Sequence, residues 1–174
     1  MAKIKLQNVR LSFPSLFRKA QFQGEETKYE GTFMLHKEQH ADTIKEIQRA
    51  IDKAIKENLK GAKLPADKIC LKDGDESGRD EYEGHYTIKA SNGKRPKVID
   101  RDKSPLTEDD GKPYSGCYVN AVIELWAQNN GYGKRINANL LGVQFAKDGE
   151  PFASGEIASD DDFDLVEGSD DFDI

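Results

Sequence analysis

The residues best equipped to do chemistry lie in one alternating stretch late in the chain. From 118 to 128, Val119, Ala121, Ile123, Leu125 and Ala127 share one face, while Tyr118, Asn120, Val122, Glu124, Trp126 and Gln128 share the other. The only tryptophan of the chain therefore falls on the polar face, in phase with Tyr118. A second stretch, 134–145, sends Ile136, Ala138 and Leu140 inward and Arg135, Asn137 and Asn139 outward. Asn129-Asn130-Gly131-Tyr132-Gly133 joins the two, which predicts a hairpin with Tyr132, Lys134 and Arg135 at its tip. Rings beside cations suit an unpaired nucleic-acid strand: a base stacks on a π-face for roughly 1–3 kcal/mol, and Lys or Arg neutralises a phosphate. The competing expectation buries Trp126 under a helix or a long loop as a second small core.

A second basic cluster comprises Lys89, Lys94, Arg95, Lys97, Arg101 and Lys103. Alternation puts Lys89, Thr87 and His85 on a wet face and Tyr86 in phase with Ile88. Asp100 and Asp102 interleave with these cations, so an ordinary solvated turn is the alternative. From this region the nucleic-acid candidates are Lys89, Arg95, Lys97 and Arg101. They join Trp126, Tyr118, Tyr132, Lys134 and Arg135 of the hairpin.

Other constellations fail on chemistry. Asp73-x-Asp75-x-Ser77-Gly78 begins like a calcium loop, but its twelfth position is Gly84, where a bidentate carboxylate belongs. His36, His40 and His85 have no metal-ligand spacing, and Gly131 and Gly133 lack the lysine and hydroxyl of a phosphate-cradling loop. Asp100 and Asp102 near Lys97 and Lys103 hint at a metal-dependent nuclease, without a spacing that supports one. No catalysis, metal or cofactor is expected.

Positioning these residues requires a mainly β fold. Ile4 and Leu6 alternate with polar neighbours, then the apolar phase moves to Val9, Leu11 and Phe13, which predicts a bulge near Asn8. A strand at 28–36 follows a loop at 15–27. Ile44, Ile47, Ile51, Ala54, Ile55 and Leu59 recur at helical spacing over 41–59, with Gly61 as a stop. Two strands at 84–90 and 97–100 precede the final hairpin. One helix inserted among five to seven strands suggests an OB-fold-like five-stranded barrel with extensions.

The end of the chain has a different character. Residues 156–174 carry nine carboxylates and no cation, whereas residues 1–155 hold all 26 Lys and Arg against 23 Asp and Glu. The body is thus +3 and the tail −9, within a total of −6. A basic body beside an anionic arm points to a polyanion-binding domain at 1–155 and a disordered acidic tail at 156–174 that mimics its ligand. Phe163, Leu165, Val166, Phe172 and Ile174 interrupt the carboxylates, so Asp170, Asp171, Phe172, Asp173 and Ile174 fit an apolar pocket rimmed by cations on a partner. No stretch approaches the roughly 18 apolar residues of a membrane span. With no signal-like start and only Cys70 and Cys117, a cytoplasmic protein with reduced thiols is expected.

Several motifs resemble a phage and prophage family of single-stranded DNA-binding proteins, formerly catalogued as a domain of unknown function. They are Val9-Arg10-Leu11-Ser12-Phe13-Pro14-Ser15-Leu16-Phe17, Tyr82-Glu83-Gly84-His85-Tyr86 and Arg95-Pro96-Lys97-Val98-Ile99-Asp100. Gly116-Cys117-Tyr118-Val119-Asn120, the run from Gly142 to Glu150 and the Asp-Phe-Asp-Ile terminus complete the set. The resemblance implies an OB-fold, sequence-independent binding of single strands, a tail that recruits replication or recombination proteins, and a bacterial host cytoplasm. Homo-oligomers are possible, and no membrane partner is expected. Two alternatives stay open: a protein-interaction module or DNA mimic acting through the tail, and a metal-dependent nuclease.

Overall fold

A computed structural model of the chain describes residues 3–152 and 163–166. The first strand, β1 (Lys3–Ser15), buries Ile4 and Leu6, then Val9 and Leu11. The three-residue step between Leu6 and Val9 is the expected bulge. Asn8 takes it up at φ +53°, a left-handed conformation that asparagine tolerates, and its N–H donates to Asn120 Oδ1 at 2.8 Å. The loop expected at 15–27 contains a small hairpin, β2 (Gln21–Phe22) with β3 (Glu25–Glu26), turned by Gln23 and Gly24 at φ +54° and +82°. Strand β4 (Tyr29–His36) pairs with β1 and leads into helix α1 (Ala41–Asn58).

Ile44, Ile47, Ile51 and Ala54 form the buried stripe of α1, which packs against the last two strands. Gly61, at φ +69°, ends the helical path with its N–H bonded back to Ile55 O. Next come β5 (Leu71–Asp73), β6 (His85–Asn92) and β7 (Lys97–Ile99), then the long hairpin β8 (Tyr118–Asn130) and β9 (Gly133–Lys147). Its turn is only Gly131-Tyr132, tighter than the five-residue connection expected, because pairing continues to Asn130↔Gly133.

Pairing runs β1–β4–β6–β9–β8 and back to β1, which closes a five-stranded OB-like barrel. Only one parallel bridge, Ser91↔Asn139, joins β6 to β9. The strands then diverge, and residues 69–73 wedge between them: Cys70 N–H bonds Ile136 O at 3.0 Å while β5 pairs with β6. Beyond the bridge, β7 pairs in parallel with β9 at 142–144. An extra residue at Leu141 shifts the register of β9, so its buried series passes from Ile136, Ala138 and Leu140 to Val143 and Phe145. The barrel interior is filled by Leu6, Leu11, Phe33, Ile88, Ile123, Leu125, Ile136 and Leu140, none more than 1% exposed.

Candidate nucleic-acid interface

The outward side chains of four barrel strands line a groove of about 820 Å³. Strand β4 contributes Glu30 and Thr32, β6 contributes Thr87, Lys89 and Ser91, β9 contributes Arg135, Asn137 and Asn139, and β8 contributes Trp126 and Gln128. The wedge between β6 and β9 adds Lys68, Cys70 and Lys72, and Phe13, Arg79 and Tyr82 close the far wall. Six cations (Lys28, Lys68, Lys72, Arg79, Lys89, Arg135) face two carboxylates, Glu30 and Asp67. Lys89 shares itself with Glu30 at 3.1 Å, whereas Lys28, Lys72 and Arg135 make no ion pair among the described residues.

Trp126 stands outward, half-buried, opposite Asn137 in the register, and outside the hydrophobic core cluster. No residue of α1 lines the groove beside the indole. Phe13 offers another ring. It is 40% exposed and sits at φ +48°, a conformation that costs a bulky residue on the order of 1–3 kcal/mol. Its N–H donates to Ser115 Oγ at 3.0 Å, and the Arg79 guanidinium lies 5.4 Å from its ring and 5.9 Å from that of Tyr82. Tyr82 itself is buried, its hydroxyl paired with Ser12 Oγ at 2.7 Å. Asn137 donates to Gln128 Oε1 at 2.9 Å, so two of the amides in the groove are turned toward each other.

Of the residues singled out from the sequence, the groove gathers Trp126, Arg135 and Lys89. Tyr132, 89% exposed, and Lys134 stand at the hairpin tip beside it. Tyr118 shares the face of Trp126 but lies eight residues, about 26 Å, along the strand, with Lys147 Nζ 4.7 Å over its ring. Arg95 is exposed and lies over Phe17 at 5.6 Å, Arg101 is exposed on a turn, and Lys97 faces a different hollow. Thr87, expected on a wet face, is buried because β5 runs alongside it. Alternation could not reveal Phe13 or Arg79, since a left-handed residue breaks the period and Arg79 belongs to a turn. Asp170, Asp171, Phe172, Asp173 and Ile174 lie outside the described residues.

The carboxylates that hinted at metal chemistry are otherwise engaged. Lys37 Nζ sits between Asp73 and Asp75 at 2.8 and 2.6 Å, where a calcium loop would hold its ion. This clamp raises the Lys37 pKa and, with the Gly84 N–H, holds Asp75 below the usual carboxylate range. Asp100 accepts the Arg101 N–H and pairs with Lys112 at 3.1 Å; Asp102 accepts both the N–H and hydroxyl of Ser104. Those bonds lower both acids and leave them as turn-forming groups. Burial pushes the thiols of Cys70 and Cys117, both free, up to about 11.

The family model described as Enterobacter phage Enc34, ssDNA-binding protein, matches residues 2–173. The chain belongs to the Enc34 single-stranded DNA-binding protein family. Within it, the single-stranded DNA-binding protein from bacteriophage Enc34 in complex with ssDNA superposes with a TM-score of 0.80 at 36% identity, over 87% of this chain and 89% of that one. A C-terminal truncation of the Enc34 protein gives a TM-score of 0.76 at 39% identity, over 86% and 88%. Protein p50 of Acyrthosiphon pisum secondary endosymbiont phage 1 is 44% identical over 172 residues, covering 93% of this chain and 92% of its own. No described helix is long and apolar enough to cross a membrane.

Proposed function

We propose that this protein binds unpaired DNA without regard to sequence, seated in the groove across β4, β6, β9 and β8. The observation that carries the reading is the outward Trp126 in a channel with six cations and two carboxylates. Its likeness to a relative solved with single-stranded DNA supports it. Bases stack on Trp126 and on Phe13, while Arg135, Lys72 and Lys28, free of ion pairs among the described residues, take phosphates. Asn137 and Gln128 spend polar groups on each other, which favours sequence tolerance over base-edge reading. No step of this reading is catalytic.

The division into a binding body at 1–155 and a tail at 156–174 belongs to the same proposal, with the tail competing for the groove and recruiting replication or recombination proteins in a host cytoplasm. The point where the tail departs supports the competition. Arg10 holds residues 150–152, through Glu150 O at 2.6 Å and the Phe152 ring at 4.1 Å. Phe152 N–H also bonds Ser115 O, and Ser115 is the residue whose hydroxyl anchors Phe13 in the groove wall. The 22 residues after Phe152 reach about 75 Å at full extension, ample to lay nine carboxylates across the groove.

The test is the salt dependence of oligo-dT binding. A net excess of four cations predicts a log–log slope of about −3, at roughly 0.7 per phosphate neutralised. A flat response contradicts the mechanism. Removing residues 156–174 shifts the whole line to tighter binding if the tail competes, and weaker binding sinks that part.

A further inference from the structure

Strand β8 carries a second basic surface whose chemistry differs from that of the groove. Lys5, Val122, Gly142 and Lys97 lie in one register row across β1, β8, β9 and β7. Lys3 and Lys5 rim one side and Lys97 the other of a hollow of about 470 Å³, floored by Val122, Leu141 and Ile99. At about 4.8 Å per strand the two rims stand roughly 14 Å apart, and Gly142, with no side chain, keeps the centre low. This hollow shares no residue with the groove, and neither a carboxylate nor an aromatic ring lines it. Two of its three amides, Asn120 and Gln144, bond each other at 3.1 Å, and the third is Gln7. A DNA strand lying here would gain phosphate contacts and nothing to stack on. An extended peptide that mixes carboxylates with apolar side chains would satisfy both rim and floor.

We propose that this hollow seats the C-terminal segment of the same chain, residues 163–174, while DNA fills the groove. For the state in which the seat is used, the proposal rests on the DNA-binding reading above. The segment has the matching chemistry: carboxylates without a cation, interrupted by Phe163, Leu165, Val166, Phe172 and Ile174. Phe163, Leu165 and Val166 are 70, 92 and 79% exposed, apolar side chains left uncovered among the described residues. The reach is sufficient. Eleven residues from Phe152 to Phe163 span up to about 36 Å, and Lys5 on the rim of the hollow lies about 17 Å along β1 from Arg10, which holds Phe152. DNA that evicts the tail from the groove thus leaves it a seat on the same strand, from which its last residues are handed to partners.

A fluorescein-labelled peptide of residues 156–174, titrated into residues 1–152 at low ionic strength, tests this with and without saturating oligo-dT. The body is suitable because its closed barrel ends at Lys147 and a truncated relative has been solved. The peptide should stay bound in the presence of oligo-dT. Lys3→Glu with Lys5→Glu and Lys97→Glu should weaken it about tenfold or more, and Val122→Asp should do so by removing the floor. Complete release by oligo-dT, or indifference to the three lysines, overturns the proposal. A body that takes the peptide lysine-dependently but ignores oligo-dT overturns the DNA-binding reading and the timing of the seat together. Full-length chains that associate through those lysines assign the seat to a second copy's tail and overturn the intramolecular assignment.

Discussion

One strand, β8, faces two basic hollows, and cations alone do not tell them apart. Around Trp126 the lining combines lysines and arginines with three rings, Phe13, Tyr82 and Trp126; around Val122 it combines lysines with aliphatic groups and amides, and no ring. Glu124, opposite Lys3 in one register and Asn139 in the other, lies between them. The contrast teaches that charge attracts a polyanion and the floor selects which one. Stacking faces suit bases, and aliphatic floors suit a peptide.

The largest expected effect separates the two floors. Trp126→Ala should cost oligo-dT binding roughly 1–3 kcal/mol, about 5- to 150-fold, measured by anisotropy of a labelled oligonucleotide. Val122→Asp should change DNA binding far less, and equal losses would erase the distinction. A smaller effect separates the cations. Arg135→Ala should make the salt slope shallower by about 0.7, whereas Lys97→Ala should leave it unchanged. A slope that responds equally to both would make the two hollows one continuous DNA path.

The smallest effect concerns His40, the residue before α1, which lies outside the groove. His40 accepts the His36 N–H on Nδ1 at 2.9 Å and donates from Nε2 to Gln7 O at 3.2 Å. Burial holds its pKa below 6.5, against the upward pull of its hydrogen bonds to the Gln7 and Asn8 backbone. A base with a lowered folded pKa contributes stability that is complete above 6.5 and declines as pH falls toward the folded value. The melting temperature should therefore drop as pH falls below 6.5, and His40→Gln should flatten that drop. An unchanged pH profile in the variant would remove His40 from the account.

Much of this arrangement was legible in residue order. Alternation at 118–128 and 134–140 placed the inner and outer faces correctly, because a strand has only two faces and one was needed for the core. The phase change at Asn8 announced its bulge, and the apolar stripe at 41–59 announced the helix. What stayed hidden depends on partners distant in sequence. Lys89 and Lys97 look like one cluster, yet β6 meets β9 at Asn139 and β7 meets it at 142–144, beyond the extra residue Leu141, and the two lysines line different hollows. The wedge at 69–73 fills a gap that exists only after β6 and β9 diverge, so Lys68 and Lys72 gave no local signal. Phe13 appeared to continue an inward series, and only its left-handed backbone turns the ring into the groove wall.

The central claim is that unpaired DNA lies against the ring-lined floor. The chain contains one tryptophan, so its emission reports on that floor alone. Titrating the intact protein with oligo-dT at low ionic strength should quench Trp126 saturably, and added salt should restore the emission. Oligonucleotide binding demonstrated by anisotropy with no change in that emission would place DNA elsewhere and contradict the account.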